Sequence, residues 1–174
     1  MRHFPTSFAA VVALAALASP TFAADQPSDP QIAHIAYTAG DIDVKAGQLA
    51  LEKSQNKAVR AFASDMVRDH KAVNEKALAL VKKLNVTPED NGTSKALSEQ
   101  AAQKHDELSK LSGAAFDKAY VANEVAFHKT VDGALETTLI PSSSNGELKG
   151  LLQTGLKIFQ GHLAHAEHLA STLK

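Results

Sequence analysis

The sequence predicts an all-α protein in which four long antiparallel helices form a bundle and a shorter helix crosses between the two pairs. Three observations predict it. Aromatic residues are few and tryptophan is absent, whereas alanine, leucine and lysine are abundant. Apolar residues recur at three-four spacing over long stretches, the period of one helix face. Clusters of turn-forming residues divide those stretches, and no alternating strand pattern of useful length competes with them.

Ser28-Asp29-Pro30 reads as a capped helix start with proline in the first turn. Ile32, Ile35, Ala39, Ile42, Ala46, Leu49 and Ala50 then form a stripe that runs to about Lys53. After the break Ser54-Gln55-Asn56, a second helix carries Val59, Phe62, Ala63, Met66, Val73, Ala77, Leu80 and Leu84 on one face. The run Val86 to Gly92 contains Pro88, Asp90 and Asn91 and is the clearest loop. Thr93 or Ser94 is placed to cap a shorter helix bearing Leu97, Ala101, Leu108 and Leu111. Ser112-Gly113 ends it, and a longer helix with Phe116, Tyr120, Phe127, Val131 and Leu135 runs to Ile140-Pro141. Beyond the polar loop Ser142 to Gly146, the last helix turns Leu148, Leu151, Leu152, Ile158, Phe159, Ala166 and Leu169 inward. Small residues on these stripes (Ala39, Ala46, Ala63, Gly133, Gly155) are expected to let helices approach closely.

Two short-looped antiparallel pairs joined by a longer crossover is the ferritin-like arrangement of a four-helix bundle. A leader precedes it. Arg2 begins a short basic start, Phe8 to Leu17 is apolar, and Pro20-Thr21-Phe22-Ala23 closes the segment with small residues at the cleavage positions. That layout is a cleavable secretory signal over residues 1–23, too short in its apolar part for the roughly 18 residues a membrane span needs. The mature chain, residues 24–174, suits one helical domain and a periplasmic or secreted address. Cysteine is absent, so neither a disulfide nor a thioether lipid anchor is available. Nothing after Ala23 is apolar for long enough to span a bilayer. Cleavage removes Arg2 and no acid, taking the formal charge from −1 to −2. Mixed, near-neutral charge argues against nucleic acid as a partner.

Polar residues on apolar stripes carry the functional information, because a bundle interior holds few of them. His70 lies between Met66 and Val73 on the second helix, and His162 between Phe159 and Ala166 on the last. Glu124 and His128 are one turn apart on the helix of Val121 and Val131, and Asp43 falls between Ala39 and Ala46 on the first. All lie near mid-helix, where antiparallel neighbours can meet. Imidazole and carboxylate from separate helices build metal sites in bundle cores. This donor set suits one zinc, iron or copper ion better than calcium. An alternative needs no metal: each acid satisfies one histidine, and the polar network locks helix register. Asp69 is a candidate acceptor behind the histidines, or surface charge. Tyr120 is expected to pack in the core with its hydroxyl tied to the network. His165 and His168 drift toward solvent, as does His105. No cysteine nucleophile, glycine-framed serine or phosphate-cradling loop occurs, which disfavours hydrolase, kinase and nucleotide-binding functions.

The segment Leu49 to Ala63 leads into Met66-Val67-Arg68-Asp69-His70. With Leu111-Ser112-Gly113-Ala114-Ala115-Phe116-Asp117-Lys118-Ala119-Tyr120 and Gly161-His162-Leu163, it resembles the exported bacterial family called domain of unknown function 4142. The resemblance covers nearly the whole mature chain. It implies a ferritin-like fold, a periplasmic or outer-membrane setting and no established reaction. It also implies that the family's histidines correspond to His70, His128 and His162, and its first-helix acid to Asp43. Lys45 and Phe127 stand where the resemblance leads one to expect further acids.

A bridged di-iron centre needs Glu-x-x-His on two helices. Three residues before His70 is Val67, and three before His162 is Phe159, so the expectation is a single ion. Two functions follow. One is a periplasmic protein that binds one transition-metal ion through His70, His128 and His162 with Asp43 or Glu124. The other is a non-catalytic, stress-linked interaction module of the cell envelope with structural histidines. Neither names a protein partner, and both are compatible with a homo-oligomer. No catalytic residue is assigned.

Overall fold

The computed structural model describes residues 26–173, so the leader expected at residues 1–23 lies outside the described residues. The described chain is all-helical, with no strand among those residues. Helix α1 is Asp29–Lys53, α2 Lys57–Lys83, α3 Gly92–Ser109 and α4 Gly113–Ala134. A π-helical turn, Leu135–Leu139, runs directly into the short α5, Ile140–Ser142, and α6 is Gly146–Thr172. None of these helices is long and apolar enough to cross a membrane.

Local chemistry sets most boundaries. At the start of α1, the Gln31 amide donates to Ser28 Oγ and the Ser28 amide donates to Gln31 Oε1, a reciprocal box that satisfies two orphan donors. The end of α2 is a Schellman motif. Asn85 takes φ 51°, its amide donates to the Lys82 carbonyl, and the Val86 amide donates to that of Val81. Helix α3 departs from expectation at its start, since Asn91 and not Thr93 or Ser94 is the cap. Asn91 Oδ1 accepts from the Ser94 amide at 3.0 Å, and Ser94 Oγ accepts from the Asn91 amide at 3.1 Å. The periodicity also gave no sign of the π-turn. Pro141 lacks the amide that would continue the ladder and its ring crowds the preceding turn. The Ile140 amide instead reaches the Leu135 carbonyl, five residues back.

Helix α1 packs on α2, α2 on α6, α6 on α4, and α4 closes the ring on α1. The linkers Ser54-Gln55-Asn56 and Ser143-Ser144-Asn145 are so short that the helices they join must run antiparallel. Helix α3 lies outside the ring, mainly against α1. Two apolar clusters fill the interior. One holds Phe62, Met66, Phe116, Tyr120 and Val121 with Ala166 and Leu169. The other holds Ile32, Ile35, Leu135, Leu139, Leu148, Leu152 and Phe159.

A close contact of α1 with α2 is made by a glycine that the stripes did not single out. A Cβ on Gly47 would lie 2.9 Å from Val67 Cγ2 and 3.0 Å from the Ala63 carbonyl oxygen. Gly133, expected at such a contact, has nothing within 4 Å of its Cβ position. Gly47→Ala should therefore destabilise the protein by about 1–3 kcal/mol through overpacking against backbone. Gly133→Ala should instead stabilise it by up to about 1 kcal/mol through helix propensity. Urea unfolding of the two variants checks this opposition of sign.

Candidate metal centre

Between the two apolar clusters lies a buried polar belt, and its position follows from the sequence of each helix. On α2, Met66 belongs to one cluster, Val73 packs on the other, and His70 falls between them. On α4, Glu124 and His128 fall between Val121 and Val131; on α6, His162 falls between Phe159 and Ala166. Asp43 on α1 completes the belt. All five residues are buried, Glu124 at 0 % exposure and His162, the least enclosed, at 7 %.

The three imidazoles converge. Ring centroids are 5.2 Å apart for His70 and His162, and 5.7 Å for His128 with either of the others. Each ring offers a nitrogen within 4.8 Å of a nitrogen on the other two. In a tetrahedral zinc site with metal–nitrogen bonds of about 2.0–2.1 Å, ligand nitrogens stand about 3.4 Å apart. Modest ring rotations would close the difference.

The outward nitrogens of two rings are already held. His162 Nε2 lies 3.0 Å from Asp69 Oδ2, and His128 Nδ1 lies 3.0 Å from the Glu124 carbonyl oxygen. Both oxygens only accept, so both nitrogens carry the proton and donate. That leaves His162 Nδ1 and His128 Nε2 with free lone pairs, buried and without a hydrogen-bond partner among the described residues. Ligating histidines are commonly oriented in this way, the second nitrogen donating to a carboxylate or carbonyl. Both nitrogens of His70 also lack a hydrogen-bond partner, although Asp43 Oδ2 approaches Nε2 to 3.5 Å.

Burial keeps His70 and His128 neutral. It pushes the His70 imidazolium well below the usual histidine range, aided by His128 and His162, and takes His128 down to about 4. Neutral imidazole is the form that binds metal. Burial pushes Asp43 well above the carboxylate range, and the adjoining Glu124 carboxyl adds to the effect. Glu124 rises to about 7, again through burial. Asp43, Glu124 and His128 form a second set with ligand atoms within 4.8 Å of one another, so His128 belongs to both sets. The two acids act as one protonatable pair beside the three imidazoles. Outside them, Asp69 is held below the usual range by hydrogen bonds from Arg68, with a further one from His162. It is thus an ionised acceptor for the His162 N–H.

Two expectations need correction. Tyr120 is buried and stacks on Phe116, with ring centroids 6.0 Å apart, but its hydroxyl is not tied into the network. The hydroxyl is buried without a hydrogen-bond partner among the described residues, since the ring packs against Phe62 and Phe116 in the apolar cluster. Asp132, which the stripes did not single out, is buried at 6 % exposure with both oxygens unpartnered among the described residues. Burial and the Glu136 charge raise it to about 6. The signal was present: Glu124, His128 and Asp132 follow one another at four-residue spacing and so share a helix face.

Phe159 supplies the local reason against a second metal. Its ring lies flat on His70, with centroids 4.4 Å apart and planes 7° from parallel. It occupies ground that a Glu-x-x-His pair would give to a carboxylate. His105, His165 and His168 are exposed as expected, although His165 sets its ring edgewise to Phe62 at 5.1 Å.

No curated protein and no solved structure matches the chain. A family model described as Domain of unknown function (DUF4142) matches residues 14–169, a span that includes α1, α2 and α4 and all but the last three residues of α6. The match extends over most of the chain and contains His70, His128, His162, Asp43 and Glu124, and the protein is therefore a member of the DUF4142 family.

Proposed function

We propose that this protein is an exported, periplasmic four-helix bundle of ferritin-like topology that binds one transition-metal ion. His70, His128 and His162 supply the nitrogen ligands, and the Asp43–Glu124 pair supplies a carboxylate. One observation carries the reading: buried imidazole nitrogens from three helices converge without hydrogen-bond partners among the described residues. A register-locking polar network would satisfy those atoms, since an unpaired buried polar group costs about 1–3 kcal/mol. Convergent unpaired nitrogens fit a ligand set better. The ring of helix contacts, the short linkers within each pair and the α3 crossover support the ferritin-like topology. The leader at residues 1–23 supports export.

Binding through a carboxylate of the acid pair would release that group's proton, so affinity should rise with pH. The test is thermal melting of purified protein with zinc, copper or ferrous ion, together with metal analysis after desalting. At about 100-fold over Kd, a single site adds about 2.7 kcal/mol, which moves the midpoint by about 5–10 °C. Retention near one ion per chain is the expected stoichiometry. Unchanged melting with no retained metal would instead support the interaction-module reading with structural histidines.

A further inference from the structure

We propose that the half of the interior around Leu135, Leu148 and Leu152 is a binding site for the hydrocarbon chain of a single-chain amphiphile. The observation is a cavity of about 680 Å³ beside the histidine belt, closed toward it by Phe159. This volume falls within the range of about 300–1,000 Å³ usual for small-molecule sites. The cavity opens to solvent at its rim and is far larger than the water-sized voids usual in protein interiors.

Its origin lies in the choice of side chains. The other half of the interior is filled by Phe62, Met66, Phe116 and Tyr120. Here the helices instead line the space with small residues: Ala36 and Ala39 on α1, Ala77 on α2, Ala134 on α4 and Gly155 on α6. Leucine, isoleucine and valine supply most of the remaining wall, with Ala33, Asn74 and Phe159. Among the described residues no charged side chain lines the cavity. The polar groups gather at the rim, where Gln26, Gln31, Asn91, Thr93, Thr130 and Thr138 offer amides and hydroxyls.

Shape selects the ligand class. On α6 the lining extends from Leu148 to Phe159, which is about 16 Å along the axis at 1.5 Å per residue. An elongated, uncharged, apolar space with a neutral polar rim suits an alkyl chain with its head at the mouth. A compact ring would leave its length unfilled. A second observation points the same way. The π-turn Leu135–Leu139 contributes Leu135, Thr138 and Leu139 to this wall. Such turns cost regular helix geometry and concentrate at functional sites. The inference does not rest on metal binding, because no metal-ligand candidate lines the cavity.

The test is titration of metal-free protein with cis-parinaric acid, below its micellar range, followed by displacement. One probe per chain is expected. Saturated fatty acids from decanoate to hexadecanoate should displace it, each added methylene strengthening binding about fourfold until the cavity is full. A parallel series with lysophosphatidylcholine distinguishes the sources: displacement by both classes indicates that a phospholipid-derived chain is accepted, and by fatty acid alone a free fatty acid. Either result supports the site. Ala36→Phe and Ala77→Leu fill the space from different helices and should each weaken probe binding at least tenfold. Circular dichroism and cooperative melting establish that a variant has folded. No probe binding to the wild-type protein, binding unchanged in a folded filled variant, or affinity indifferent to chain length would overturn the proposal.

Discussion

His70→Ala is expected to weaken metal binding by more than about 100-fold and to abolish the metal-dependent rise in melting temperature. The reasoning starts from the outer contacts. Removing a group that merely orients a ligating histidine typically costs about 10–100-fold in affinity. Asp69 is such a group, accepting from His162 Nε2 at 3.0 Å, and Asp69→Asn should fall in that range. His70 would be a ligand itself, and two imidazoles cannot supply the three nitrogens that the site brings together. The variant should still fold, because the ring it removes carries two unpartnered nitrogens as well as a stacking contact with Phe159. His165→Ala is the control. His165 is exposed and outside the belt, so its loss should leave metal-linked stabilisation unchanged. The order wild type, Asp69→Asn, His70→Ala in isothermal titration checks the assignment. Equal loss in His165→Ala and His70→Ala would move binding to the surface of α6.

The second large effect is on stability against pH in the metal-free protein. Glu124 has its folded value raised from 4.5 to about 7 by burial. The neutral carboxyl is therefore favoured by folding. Its contribution is fully present below about pH 4.5 and lost as pH rises through 7, a difference of about 3 kcal/mol. Asp43 acts in the same direction. His70 and His128 act oppositely, since burial lowers both and the unfolded chain binds their protons more readily. Their contribution is present above about pH 6.5 and is lost as pH falls toward 4. Between about pH 4.5 and 6.5 the acids and the imidazoles oppose one another, and Asp132, raised to about 6 by burial, adds to the acids' side. Stability is expected to fall as pH rises through 7. Glu124→Gln should remove much of the alkaline fall, gaining about 3 kcal/mol on the wild-type protein between pH 5 and pH 9. Parallel denaturation curves for the two proteins across that interval would contradict the assignment.

The helices and their breaks were largely legible in the chain. Ser28 with Gln31, the Ser54-Gln55-Asn56 break and the polar loop Ser142 to Gly146 act within a few residues, and so does the period that sets each buried stripe. Asp43, His70, Glu124, His128 and His162 stood out by the same local logic, as polar residues on apolar faces. Asp132 was as readable, by its spacing from His128; Gly47 was not, since it lies beside the α1 stripe and its contact depends on where Ala63 and Val67 of α2 fall. The π-turn was not, since it depends on how a helix yields before Pro141 while its neighbours hold it in place.

By itself, the sequence determined which residues are helical, which face of each helix turns inward and which polar groups travel with that face. These are properties of one segment and its 3.6-residue period. Only the tertiary structure decided which of those groups meet. Axial register and rotation between helices bring His70, His128 and His162 together, set Asp43 against Glu124 and place Asp69 behind His162. They also lay Phe159 flat on His70 and leave an alanine-lined space below it. Such pairings join residues far apart in sequence, and periodicity within one helix carries no information about its register against the next.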